Sequence, residues 1–399
     1  MSQGEYAVGI GAGAATSNQG SRAIAIGVNA GYSTQGRQSV AIGESAGYYA
    51  QGSHAVAIGL NAGNTSQQYG GTAVGNYAGV SNQGFEATAI GDKCGESGQG
   101  CQAVAVGHRA GYSNQGTRAV AIGPYSANDT QGSGAIAIGE YTGSTSQNTD
   151  AIAIGTGAGS ESQNSYSVAI GYHAGVSFQD VSAVSIGNGA GYSNQAQHTV
   201  AIGTFTGNQN QNDSAIAIGF RAGQSSQGSY AVAIGKDAGV TVCHDRSIIL
   251  NASGTDLDTV QSDSFYVNPI RYTGETANAL TYNYVTHEIV DSGVDLMTPS
   301  DRRLKQSIEK LVTSGEFIDA LKPVTYELIA SGEHKEGFIA DELPSQFVRG
   351  LPDAVDAHGA PVYQTIQVHS PDMIANMVAE LQSLRKRVAL LESINVAHG

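Results

Sequence analysis

Ser300 and Lys305 stand five residues apart in a short charged stretch, Ser300-Asp301-Arg302-Arg303-Leu304-Lys305. A serine hydroxyl is a poor nucleophile until a base takes its proton, and a lysine amine serves as that base once burial depresses its pKa. Taken alone, such a pair is more commonly a helix-capping serine followed by a solvated lysine. No other group in the chain has a catalyst's spacing: there is no phosphate loop, no HExxH and no paired carboxylates in a recognisable motif. His54, His108, His173 and His198 fall at different places in the repeats described below, and His-x-His does not occur, so no metal site is expected and no cofactor is implied. The three cysteines, Cys94, Cys101 and Cys243, are odd in number and lack a CxxC pair, which predicts reduced thiols, with Cys243-His244-Asp245 read as a cap on the repeats.

The elements that carry these groups begin with a repeat. The chain has 399 residues, 54 of them glycine, with no tryptophan and 13% charged residues; a strict period orders this composition and so argues against disorder. Aligned on an Ala-Ile-Ala-Ile-Gly core, the closing glycine falls at Gly11, Gly27, Gly43 and every sixteenth residue to Gly235, making fifteen coils without insertion or deletion. In a solenoid each coil lies on its neighbour, so an extra residue would break the ladder and turn inward side chains outward. Before each glycine the order apolar, small, apolar, as in Ile24-Ala25-Ile26 or Val232-Ala233-Ile234, predicts a short strand with its β-branched residues facing inward. Four residues later a second glycine, as at Gly31, Gly47, Gly63 and Gly79, marks a further corner. A glutamine recurs in register from Gln3, Gln19, Gln35 and Gln51 to Gln227, and a stacked amide column can satisfy itself from the coils above and below. Residues that vary around it, among them Tyr32, His54, Phe85, Arg109, Tyr141 and Phe205, are expected to be solvated, and specificity would reside there.

The net charge of -15 and the scarcity of Lys and Arg in the repeats argue against a nucleic-acid partner. Met1 to Ala15 lacks the basic and apolar regions of a secretion signal, and nowhere does an apolar run reach the length of a membrane span, so neither secretion nor membrane insertion is expected. Two β-branched side chains per coil bury too little to offset the ordering of sixteen residues, which points to support from sister chains. Fifteen coils at the usual strand spacing would form a rod on the order of 70 Å long.

Tetrads such as Ser39-Val40-Ala41-Ile42-Gly43 and Ala231-Val232-Ala233-Ile234-Gly235, each followed by a small-residue turn, resemble the head repeats of YadA-like trimeric adhesins over residues 1 to about 242. The resemblance implies a left-handed parallel β-roll and association in threes. The membrane-anchoring barrel of those bacterial proteins is not found, which points away from an autotransporter.

Residues 243–299 read as a β-rich connector, in which Phe265-Tyr266-Val267-Asn268-Pro269-Ile270-Arg271, Leu280-Thr281-Tyr282-Asn283-Tyr284 and His287-Glu288-Ile289 resemble the neck that precedes chaperone modules in viral fibres. The Ser300 stretch with Ile308 and Leu311, then Leu321-Lys322-Pro323-Val324-Thr325-Tyr326-Glu327, then Gly337-Phe338-Ile339-Ala340-Asp341-Glu342-Leu343 and a closing heptad helix together resemble the intramolecular chaperone of endosialidases and phage tail fibres. That resemblance implies an α+β domain over 300–371 that cleaves itself. Ser300 would attack the Pro299-Ser300 bond, Lys305 would accept its proton, and Asp301 would help position the loop. Over 372–399, Ile374, Leu381, Val388 and Asn395 share one heptad position and Met377, Leu384 and Leu391 the other. The pattern suits a coiled coil of two or three strands, or an amphipathic helix packed on its own domain; the number three comes from the resemblance.

The expected fold is therefore mainly β: a parallel β-solenoid of 16-residue coils over 1–242, assembled as a homotrimer, then the neck, the chaperone domain and the coiled coil. The expected function is a viral or phage fibre, made in the host cytoplasm and carried on the virion. It would attach to a host glycan or envelope receptor, with self-cleavage as a single event in cis and no turnover chemistry. A purely structural spacer is the alternative. An ice-binding solenoid ranks below it because the threonines are irregular.

Overall fold

A computed structural model of the chain describes residues 3–270, 278–283, 286–295, 308–311, 319–327, 332–343, 348–349, 365–366 and 371–397. Two compact units are present, Met1–Tyr272 and Thr273–Gly399.

In the first unit each repeat supplies a short strand, from Val8–Ile10, Ile24–Ile26 and Val40–Ile42 to Ile216–Ile218 and Val232–Gly235. Each pairs in parallel with its equivalent sixteen residues on, Ile24 with Val40 and Ala25 with Ala41, and the register never slips. A second wall is made by the segments that end in glutamine, such as Ser17–Gln19, Ser33–Gln35 and Ser193–Gln195, which also pair coil to coil. The result is the expected parallel β-solenoid.

Its interior differs from the expectation in one respect. The small middle residue of each strand faces inward: Ala25, Ala41, Ala57 and Ala73 are fully buried, whereas Ile26, Ile58 and Ile90 are 36%, 37% and 41% exposed. The β-branched residues line the outside. Alternation determines which residues share a face but not which face is inside, and here the glutamine decides. Its side chain crosses the coil, so that Gln35 Nε2 donates to the Ile24 carbonyl at 2.7 Å, and only a methyl group fits opposite. From Gln51 to Gln227 each Nε2 also donates to the Oε1 of the next glutamine at 2.9 to 3.2 Å, an unbroken amide ladder along the rod. Where Ser185 replaces the inward alanine, its hydroxyl joins that ladder, accepting from Gln179 Nε2 at 3.2 Å and donating to Gln195 Oε1 at 2.5 Å.

The same amide explains the second glycine. Gly31 has φ +54, and a Cβ there would lie 2.8 Å from Gln35 Oε1. The closing glycine answers to stacking instead: at Gly27, φ is +132 and a Cβ would meet the Gly43 carbonyl oxygen at 2.5 Å. Between these corners the chain also turns left-handed at ordinary residues, as at Asn29, Thr34 and Gln38 with φ of 56°, 52° and 55°. Such a conformation costs a residue with Cβ about 1–2 kcal/mol. Ladder bonds such as Asn29 N to Ala12 O at 2.8 Å and Gln38 N to Ser21 O at 3.0 Å offset it, at about 0.5–1.5 kcal/mol each.

Periodic sequence ends at Gly239, but the ladder continues. Val232–Gly235 pairs in parallel with Ile248–Asn251, which pairs with Phe265–Asn268. Two further coils are thus drawn from the segment read as the start of a separate connector. Their core exchanges its parts: Cys243 stands at the glutamine position and Ile249 at the alanine position, both buried, a smaller residue facing a larger one. Asn251 takes the glycine position and donates from Nδ2 to the Lys236 and Thr255 carbonyls at 2.9 and 2.6 Å. Across these last coils Arg246 donates twice to the Asp263 carboxylate, at 2.5 and 2.8 Å, which pushes the arginine pKa up and the aspartate pKa down.

The described parts of the second unit include three antiparallel pairs, a 3-10 turn and a long C-terminal helix. Asn278–Tyr282 pairs with Ile289–Asp295, Val324–Glu327 with His334–Gly337, and Val348–Arg349 with Thr365–Ile366. The turn spans Ala340–Glu342 and the helix Pro371–Ala397.

Candidate functional site

Ser300, Asp301 and Lys305 of the expected cleavage site, together with Pro299 of the scissile bond, lie outside the described residues. What the structure describes is a later part of the same segment. The segment from Leu321 and the segment ending at Leu343, neighbours in sequence, meet as one antiparallel pair: Val324 opposite Gly337, Thr325 opposite Glu336, Tyr326 opposite Lys335. Gly337 suits its place, since a Cβ there would press on Tyr326 at 3.3 Å. Lys322 Nζ stands 3.7 Å from Glu342 Oε2, and Leu343 is buried. Two of the motifs singled out in sequence are therefore one structural feature.

The C-terminal helix presents its heptad positions unburied within the chain. Ile374, Met377, Leu381, Leu384, Val388 and Leu391 are all exposed, Leu381 to 61%. Val378, Leu390 and Ile394, off that row, are exposed as well, so the exposure is shared around the helix. None of the described helices is long and apolar enough to cross a membrane.

On the solenoid, the outward β-branched residues form two parallel apolar stripes. Ile24, Val40 and Val56 belong to one, Ile26, Ile42 and Ile58 to the other, and Ile248, Leu250, Phe265 and Val267 continue them over the last coils. Seventeen strands with a three-residue width give a face on the order of 800 Å². That exceeds the apolar patch of an ordinary monomer and equals one side of a standard protein interface. Sequence reasoning missed this surface because it assigned these residues to the interior; the signal was the glutamine, too long to share a narrow coil with isoleucine.

The variable positions are solvent-facing, as expected, and several stack coil on coil. Tyr32 lies on Tyr48 with ring centroids 4.8 Å apart, Tyr69 on Phe85 at 5.4 Å and Tyr125 on Tyr141 at 4.8 Å. All three cysteines are free; burial pushes the thiols of Cys94 and Cys243 up to about 12, which keeps both protonated and unreactive near neutral pH. His244 Nδ1 sits 2.7 Å from Thr259 Oγ1, a contact between stacked coils; Cys243-His244-Asp245 thus lies inside the ladder, with a further coil beyond it, instead of capping it.

The family model described as the chaperone of endosialidase matches residues 300–356. This match spans well under half of the chain, and it makes the segment resembling an intramolecular chaperone more than a likeness of short motifs. It opens at Ser300 itself and includes Lys305 and the Val324–Glu327 and His334–Gly337 pair. No curated protein and no solved structure matches the chain.

Proposed function

We propose that the chain is the precursor of a homotrimeric viral or phage fibre, whose solenoid attaches to a host surface and whose C-terminal module aligns three chains and then detaches. The observation that carries this reading is that the chaperone family match begins at Ser300, the residue that the sequence resemblance makes the nucleophile. In the reaction, Ser300 Oγ bonds to the Pro299 carbonyl carbon while the Lys305 amine takes the hydroxyl proton. The Pro299–Ser300 C–N bond then breaks, and the proton passes to the departing Ser300 nitrogen. Water hydrolyses the resulting ester, leaving a carboxylate at Pro299 and a free Ser300 at the head of the module. Reactants joined in one chain react without an encounter step.

Two unpartnered apolar surfaces support association of chains: the Ile and Val stripes of the solenoid and the heptad row of the helix. A rod whose interior is alanine and glutamine buries little apolar area per residue, and pressing stripe against stripe supplies what each coil lacks. Removal of the module after assembly would leave three rods unable to separate and re-register readily, a kinetic form of stability. Ser300→Ala tests the cleavage. Purified wild type is expected to run on a denaturing gel as two fragments divided before Ser300, and the variant as one full-length band; an unchanged pattern removes the proteolytic reading.

A further inference from the structure

The outer face of the glutamine wall, on the far side of the core from the apolar stripes, carries a groove of about 360 Å³ that runs from Ser162 to Asn212. Two columns flank it, the residues just before and just after each inward glutamine, and both depart from the repeat here. The position after glutamine is Gly20, Gly36, Gly52, Gly84, Gly100, Gly116 and Gly132 in earlier coils, with Gln68 as a single exception. It then becomes Asn148, Asn164, Asp180, Ala196 and Asn212 before returning to Gly228. Where glycine stands the site is closed to side chains: at Gly36 a Cβ would meet the backbone of the next coil at 2.4 Å. Five consecutive coils have thus opened a tight stacking position to admit polar groups. Asn148 Nδ2 donates to Asn164 Oδ1, and Asn164 Nδ2 to Asp180 Oδ1, both at 2.9 Å. Ala196 interrupts that row and leaves a notch between Asp180 and Asn212, opposite Asn194, whose Nδ2 donates to Asn210 Oδ1 at 3.1 Å.

The second departure is Phe178. Its position before glutamine is left-handed and elsewhere holds small residues such as Asn18, Ser66, Asn82, Asn114, Asn194 and Asn210. Phe178 has φ +55 there and is 63% exposed. A bulky ring gains no packing from that exposure, and its backbone is one that such residues disfavour, so folding gives no reason for it.

We propose that this groove binds a neutral saccharide, with the apolar face of a sugar ring on Phe178 and its hydroxyls bonded to the amides of Asn194, Asn210 and Asn212 and to the Asp180 carboxylate. The inference rests on the attachment reading and names its ligand class and face. An aromatic platform beside planar groups that both donate and accept is what a ring with one apolar face and a rim of hydroxyls requires. With a carboxylate and no lysine or arginine in its lining, the groove repels sialylated or sulfated sugars.

The test uses the full chain and the Phe178→Asn variant, which installs a residue its column carries in other coils, as at Asn114 and Asn194. Binding is measured to immobilised neutral oligosaccharides and to their sialylated and sulfated counterparts. The expected result is binding to neutral members only, weakened at least about tenfold in Phe178→Asn with an equal or higher thermal midpoint. Equal binding by the variant, binding to anionic members only, or binding to none overturns the groove. Adhesion to a panel of cell surfaces separates the two readings. A chain that adheres by a route insensitive to Phe178→Asn and to excess soluble saccharide keeps the attachment role and loses this site, as would adhesion abolished by protease treatment of the cells. A chain that adheres to none of them loses both.

Discussion

Glutamine is the residue on which the solenoid's interior turns. Gln115 donates to the Val104 carbonyl at 2.9 Å and to Gln131 Oε1 at 3.2 Å, and accepts from Gln99 Nε2 at 3.1 Å, all in a fully enclosed core. Gln115→Ala would remove all three bonds, leave Gln131 Oε1 without its donor and open a void, while Gln99 keeps its bond to the Thr88 carbonyl. A loss of about 3–5 kcal/mol is expected, read as a fall in the chaotrope midpoint of the folded rod. A substitution at an exposed neighbour such as Asn114, which shares the strand but not the core, should change it by less than about 0.5 kcal/mol. The Gln column and both glycine columns were legible in the sequence because they recur without exception or nearly so. What the sequence concealed was the partner that each glycine avoids: Gly31 makes room for the Gln35 amide, whereas Gly27 makes room for the next coil's carbonyl. Two identical residue types thus serve different constraints, and only the coil's closure distinguishes them.

At the scale of the element, strand and period were both readable, and the sense of the strand was not. Val120-Ala121-Ile122 is equally consistent with either face inward until the width of the coil is known. The consequence is testable because an outward residue can be changed without touching the monomer's core. Ile122→Glu should leave the solenoid's circular dichroism and its local ladder unchanged while placing a charge in each chain's share of the interface. Association is expected to weaken by about 2 kcal/mol or more per buried charge, seen as dissociation by sedimentation at dilution. Were Ile122 an inward residue, the same change would instead unfold the coil. The last two coils were hidden for a related reason. Cys243 and Ile249 jointly fill the space of a glutamine and an alanine, so the period disappears from the sequence while the ladder persists. The C-terminal helix was legible outright, since its 27 residues repeat a helical period often enough to declare it.

For the whole molecule, the solenoid and the chaperone segment solve complementary problems. Identical coils give a long regular surface, but they also permit chains to pair one or more coils out of register, because every rung offers the same stripes. In the proposed assembly, a terminal module that gathers three chains at one end would fix the register before the rods zip together. Its removal afterwards is useful only if the rods then hold one another. The account therefore depends on the outward Ile and Val residues being an interface between copies of this chain, and native mass spectrometry of the purified product tests it most directly. Three copies of a fragment ending at Pro299, travelling as one particle, are the predicted result. A single, stably folded copy at the same concentration, with its apolar stripes still open to water, would contradict it.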